Sequence, residues 1–215
     1  MFRKHSAFAI AALWALVIPS FLNAQLASRP AEEWSKTLDQ PTRVDSLKIP
    51  EIVARLGLKP GQIVADLGAG TCLFCVSMAR AVAPRGTVYA VEIDKGYFAT
   101  IEVRAKEGNV ANVKTVLGEF KDPKLPSKDV DVAFMHDVLH HVEDRAGYLK
   151  NAVAYVKPGG RFVIIDYKGD QGPHKDQANL IVSEAQVNGW MKAAGFGKVE
   201  RVDLFPDKYF LIFSR

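Results

Sequence analysis

The chain predicts a doubly wound α/β fold, a mainly parallel sheet with helices on both faces. Three observations carry this. From Ile63 onward, short apolar runs alternate with helical patterns. The first run, Ile63–Asp66, ends in a carboxylate and turns through Gly68 and Gly70 into a helix. The last two runs flank Pro206-Asp207 and read as a hairpin, which forces one antiparallel strand.

Taken in order, residues 25–48 read as a polar linker or N-terminal cap with a short helix around Trp34. Ile49–Leu56 is an amphipathic helix stopped by Gly57, and Lys59-Pro60-Gly61 is a turn. Strand one is Ile63–Asp66, and its helix, Leu73–Ala83, ends at Pro84-Arg-Gly86. Strand two is Val88–Glu92, followed by a helix over Tyr97–Glu107 that stops at Gly108-Asn109. Strand three is Val113–Leu117. Strand four, Val130–Met135, precedes a helix near Arg145–Val156. Lys157-Pro158-Gly159-Gly160 turns into strand five, Phe162–Asp166. Ser183 and Gln186 form a capping box for a helix that ends at Gly195. Lys198–Leu204 and Tyr209–Phe213 are the hairpin strands.

The bulk properties agree with one domain plus an extension. The chain has 215 residues, 48% hydrophobic and 24% charged, with a net charge of +4. That charge is mild, and no Lys/Arg run or basic-aromatic stripe appears, so nucleic acid is not an expected partner. Arg3 and Lys4 precede the uncharged run Ala7–Ile18; Pro19-Ser20 breaks it, and Leu22-Asn23-Ala24 offers a cleavage site. Residues 1–24 are expected to be a signal peptide or an N-terminal anchor, and 49–215 the main domain. The domain is then exported, periplasmic or secreted, or membrane-anchored by an uncleaved segment; a cytoplasmic location is the alternative.

Ligands of such sheets bind beyond the carboxyl ends of the strands, at the switch point beside strand one. Asp66, Glu92, Glu119 and His136 all fall at such ends. A carboxylate at Glu92 can accept both hydroxyls of a ribose, with Asp94 the alternative. A dinucleotide fingerprint needs a third glycine at position 73, which is Leu, and gives no reason for Asp66. Three histidines and an Asp within residues 136–141 could hold a metal, but a helix start with surface imidazoles meets the same spacing, and no metal is assigned. Cys72-Leu-Phe-Cys75 is a Cys-x-x-Cys that in an exported protein can close a disulfide.

Asp66-Leu-Gly68-Ala-Gly70, Glu92, Gly118-Glu119 and Asp131-Val-Ala-Phe-Met-His-Asp-Val-Leu-His-His141 together resemble the class I S-adenosylmethionine (SAM)-dependent methyltransferases, from about Pro50 to Arg215. The resemblance implies a seven-stranded sheet of order 3-2-1-4-5-7-6 with strand seven antiparallel, SAM as cofactor, and methyl transfer to a small molecule. It places Asp66 near the methionine ammonium, Gly68 and Gly70 against the cofactor, and Glu119 at the adenine amino group. Phe120 offers its backbone amide to adenine or its ring to packing. His136, whose imidazole can titrate near neutral pH, is the first candidate for a base and Asp137 the second. Tyr167 and His174 are expected to line the acceptor pocket. The family pattern prefers a glycine where this chain has Cys72; since Cys tolerates positive φ poorly, position 72 is expected to belong to the helix already. The chain has two cysteines and lacks the further ones expected of an arsenic-methylating enzyme. Alternative readings are a protein carboxyl or isoaspartyl methyltransferase, an exported protein that binds SAM without turnover, and a nicotinamide oxidoreductase.

Overall fold

In the computed structural model the described residues are 30–169 and 171–215. The expected targeting segment, 1–24, lies outside them. Among the described residues no helix is long and apolar enough to cross a membrane.

Seven strands form one sheet: β1 (Ile63–Leu67), β2 (Thr87–Glu92), β3 (Val113–Leu117), β4 (Val130–His136), β5 (Val156–Tyr167), β6 (Lys198–Arg201) and β7 (Lys208–Ser214). Their order is β3-β2-β1-β4-β5-β7-β6. β7 runs antiparallel to both of its neighbours, and the pairings among β1 to β5 are parallel. The doubly wound seven-stranded sheet is therefore as the sequence implied.

Parallel strands covered on both faces bury every side chain, so they read as nearly continuous apolar runs. β5 shows this. Phe162 and Ile164 pack on one face with Leu149, Val187 and Met191. Val163 and Ile165 pack on the other with Met78, Phe134 and Phe210. The helices that cover these faces are α3 (Ile49–Leu56), α4 (Cys75–Val82), α5 (Phe98–Glu107), α6 (Arg145–Ala152) and α7 (Glu184–Ala193). α7 starts at the expected capping box: Ser183 Oγ accepts from the Gln186 amide while the Gln186 side chain accepts from the Ser183 amide. β6 lies at the sheet edge with all four residues exposed; its Lys, Glu and Arg discourage pairing with another chain.

The segment read as a linker carries two short helices, α1 (Ala31–Leu38) and α2 (Pro41–Ser46). They are latched to the glycine turn after β1. Thr71 donates its hydroxyl to Asp39 at 2.6 Å, and Arg104 pairs with the other Asp39 oxygen at 2.8 Å.

The expectation for Cys72 is corrected. It adopts φ +65° ahead of α4, which begins only at Cys75. A disulfide joins Cys72 to Cys75 and ties this left-handed position to the first residue of the helix.

Candidate functional site

β1 pairs with β2 on one side and β4 on the other, so the chain reverses its direction of winding beside β1. That is where a crevice opens at the carboxyl ends of doubly wound strands. A cleft lies there, and Asp66, Gly68, Gly70, Glu92, Asp94, Glu119, Phe120, His136 and Asp137 all border it. Nine of the side chains or glycines proposed from the sequence therefore converge on one place, whereas Tyr167 and His174 do not border it.

The turn after β1 needs glycine for two reasons. Gly68 has φ +79°, and a Cβ there would sit 2.6 Å from a Val138 methyl. The turn amides do not point into the cleft as free donors. Gly68 and Ala69 donate to the Val91 carbonyl, at 3.0 and 3.1 Å. Gly70 donates to Glu92 Oε1 at 2.5 Å. The tip of β2 thus holds the turn, and Glu92 is both a lining carboxylate and a structural anchor.

Asp66 and Glu92 are nearly inaccessible, with 3% and 9% of their surfaces exposed. Burial, reinforced by the neighbouring Glu92 charge, pushes Asp66 up to about 8. Burial pushes Glu92 up to about 7 against the opposing pull of the Gly70 and Ile93 amides. Asp66 Oδ2 lies 3.6 Å from Cys75 Sγ, but a disulfide sulfur has no proton to donate. The site therefore holds two adjacent acids that ionise reluctantly without a cationic or donor-rich ligand.

The expected roles fit unequally at the cleft's other positions. Asp94 turns its carboxylate back to accept the Gly96 amide at 2.8 Å. Glu119 is exposed and pairs with Lys124 at 3.3 Å. Phe120 is not a core residue: its ring is 56% exposed on the cleft rim.

The end of β4 also differs from expectation. His136 packs beside Phe74, with ring centroids 5.0 Å apart. Burial drives its imidazole down to about 3, against the partial support of Asp137, so it is a neutral ring rather than one titrating near neutrality. His136 Nδ1 lies 3.4 Å from Asp137 Oδ2, and Nε2 is buried without a hydrogen-bond partner among the described residues. Asp137 is held ionised despite burial by the charges of Lys208 and Arg43, with the neutral His136 ring beside it. Lys208 Nζ donates to Asp137 Oδ2 at 2.7 Å, and Arg43 approaches the same oxygen at 3.8 Å. Asp137 has φ +56°, a strained conformation of the kind found at functional sites.

The next two histidines are not surface imidazoles at a helix start. Leu139–His141 form a single 3-10 turn, and α6 begins at Arg145. His140 is buried, with Nδ1 2.6 Å from Asp166 Oδ1. His141 borders the cleft, and burial pushes it down to about 3. The His174 ring stacks at an angle on His140, centroids 5.2 Å apart; Tyr167 meets His140 edge-on at 6.1 Å. Tyr167 and His174 therefore lie behind His140 and His141 at one end of the cleft.

Sequence reasoning missed the roof. Trp34, Leu38, Arg43 and Leu47 border the cleft from the N-terminal helices. The helical pattern around Trp34 was visible, but nothing local in residues 31–47 says which surface they cover. Lys208 was missed for the same reason, lying 71 positions from Asp137.

The comparisons with known proteins agree with this geometry. A methyltransferase-domain family matches residues 65–164. A demethylmenaquinone methyltransferase from Geobacillus sp. (strain WCH70) is 29% identical over 116 residues, covering 54% of this chain and 50% of the relative. Phosphoethanolamine N-methyltransferase 1 from Arabidopsis thaliana is 27% identical over 167 residues, 72% of this chain and 33% of the relative. The chain spans half the length or less of these curated relatives. A SAM-dependent methyltransferase from Aquifex aeolicus superposes with a TM-score of 0.74 at 24% identity, covering 84% of this chain and 96% of that one. Residues 65–164 thus match a methyltransferase domain inside a Rossmann-like seven-stranded sheet shared with SAM-dependent methyltransferases, and SAM is the cofactor that this match implies.

Proposed function

We propose that the chain is a SAM-dependent methyltransferase acting on a small-molecule acceptor. The observation that carries this reading is the buried carboxylate pair, Asp66 and Glu92, at the switch point beside β1. A dinucleotide would also use Glu92 for a ribose, but it would bring a negatively charged diphosphate toward Asp66 and to a turn whose Gly68, Ala69 and Gly70 amides are already engaged. A ligand with an ammonium, a sulfonium and a ribose diol brings positive charge and donors instead. The residues present therefore fit SAM and disfavour a nicotinamide cofactor.

SAM supplies a methyl group on a good leaving group. The protein's part is orientation, worth up to ~7–11 kcal/mol in the best cases. Glu92 accepts the ribose hydroxyls on the oxygen capacity that Gly70 and Ile93 leave open, and Asp66 faces the ammonium. Glu119 and the rim residue Phe120 attend the adenine end. His136 stays neutral and accepts a hydrogen bond from the acceptor at Nε2. Asp137, neutralised by Lys208, fixes the ring through Nδ1.

The test is calorimetric titration of the full chain with SAM, S-adenosylhomocysteine and NAD, followed by label transfer from methyl-labelled SAM into a small-molecule cell extract. Tighter binding of NAD than of SAM overturns the reading. SAM binding without transfer to any extract favours a non-catalytic SAM-binding protein.

We also infer that residues 1–24 direct export, with 25–48 forming the cap and 49–215 the domain. The Cys72–Cys75 disulfide supports an oxidising compartment. N-terminal sequencing of native protein after cell fractionation tests this; an intact Met1 in the cytoplasmic fraction refutes it.

A further inference from the structure

We propose that His140, His141 and His174 form a binding site for a divalent transition metal of the zinc class at the acceptor end of the cleft. The three come from the segments that follow β4 and β5, and each offers a ring nitrogen within 4.8 Å of the other two. His141 also borders the cleft, so a bound ion lies next to the space left for the acceptor.

The neighbours of each ring fit ligation. Asp166 Oδ2 accepts the His140 backbone amide at 3.0 Å, and Oδ1 accepts the Tyr167 amide at 2.8 Å. A carboxylate so placed is an acceptor, so at 2.6 Å it takes the proton on His140 Nδ1. The Nε2 lone pair of His140 is thereby left for a metal, the carboxylate–histidine arrangement that orients metal-binding imidazoles. His141 Nδ1 is buried with no hydrogen-bond partner among the described residues, an arrangement that costs free energy until something occupies that nitrogen. His174 Nδ1 lies 3.3 Å from the Gln177 side-chain nitrogen; turning that amide over lets its oxygen accept the Nδ1 proton and leaves His174 Nε2 for the metal. The His140 and His141 centroids are 4.0 Å apart, and the His141 and His174 centroids 5.3 Å.

Three imidazoles without a carboxylate ligand select zinc, cobalt, nickel or copper over magnesium or calcium. Three protein ligands leave a fourth position for water or for an oxygen of the acceptor. Nitrogens at tetrahedral zinc are about 3.4 Å apart, so the triad must contract by up to about 1.4 Å. His174 can supply that movement, because it stands outside the strands and helices. Arg145 is the nearby cation; the carbonyls of Leu139, His140 and Asn179 hold its guanidinium, and Asp166 balances its charge.

The experiment uses the full, untagged chain stripped with a chelator and titrated with Co²⁺ under visible absorption, then with Zn²⁺ in competition. The expected result is one equivalent of cobalt with the intense bands of four- or five-coordination, displaced by zinc. His174→Ala should weaken zinc binding at least tenfold, and Asp166→Asn by about tenfold to a hundredfold. The metal-free melting temperature of His174→Ala should match the wild type, which separates ligand loss from unfolding. Absence of a one-equivalent complex, a pale six-coordinate cobalt spectrum, or undiminished zinc binding by His174→Ala overturns the proposal. SAM titrations of the same samples report on the methyltransferase reading independently, because the metal is measured without cofactor or turnover.

Discussion

SAM binding should release protons, and Asp66 and Glu92 should both be sources. Burial holds the Glu92 carboxyl at about 7, whereas a ribose diol needs it ionised. A group titrating there is about 3% ionised at pH 5.5 and about half ionised at pH 7.0, so Glu92 alone should lower the apparent Kd about fifteenfold across that window. This corresponds to about 1.6 kcal/mol of coupling. The window lies below the ordinary α-amino pKa of about 8, so the cofactor's ammonium stays charged throughout. Asp66, raised to about 8 for the same reason, is still about nine-tenths protonated at pH 7 and adds a second, steeper contribution in the same direction. The assay is calorimetry in buffers of different ionisation enthalpy, which counts protons directly, with Glu92→Gln as the control. The variant should bind SAM more weakly at pH 7 and lose the Glu92 share of the pH dependence, leaving that of Asp66. A flat wild-type Kd between pH 5.5 and 7.0, or an unchanged slope in Glu92→Gln, refutes the argument.

The same acids set the stability of the ligand-free protein. Their folded pKa values lie above the unfolded ones, so the stability they confer is complete below about pH 4 and is lost as pH rises through about 7 for Glu92 and about 8 for Asp66. Thermal melts should therefore show Glu92→Gln gaining on the wild type between pH 5 and 8, by a few degrees; a constant difference counts against buried ionisation. Reduction of Cys72–Cys75 should cost about 2 kcal/mol by loop-closure entropy and weaken SAM binding, read as a lower melting temperature and higher Kd in dithiothreitol. Thiol titration of the unreduced, unfolded protein should find none free, and two free thiols would contradict the bridge. Asp39→Ala opens the latch on Thr71 and Arg104, a partly exposed contact worth no more than about 1 kcal/mol. It should raise the SAM Kd severalfold with little change in melting temperature. His136→Ala should lower kcat far more than it changes SAM affinity; equal losses in both would move His136 to cofactor binding.

The legible parts of the molecule are those governed by short-range rules. β3 has the bounds read from its apolar run, and the Ser183–Gln186 capping box forms as its spacing requires. Strand ends could be counted, which is why Asp66, Glu92 and His136 were found together. The rest depends on contacts between distant residues. Nothing near His136 reveals that aromatic burial removes its proton affinity, or that Lys208 neutralises Asp137. Cys72 was misjudged because the local cost of positive φ was weighed without the bridge to Cys75. His140 was taken for a surface ring because Asp166, its partner, lies 26 positions away. Glycine at position 68 was read as an approach to ligand, but Val138 alone already forbids a side chain there. Substituting Gly68 therefore makes a poor test of binding.

The Asp137–Lys208 pair also has a temporal meaning. β7 must insert between β5 and β6, and only then does Lys208 reach Asp137. Until that docking, a carboxylate at the heart of the cleft has no ammonium beside it. In a chain made from its N-terminus, Lys208 follows the strands that carry Asp66 and Glu92, so its pairing with Asp137 comes after them. The charge balance of the cleft thus waits on the arrival of the β6–β7 hairpin.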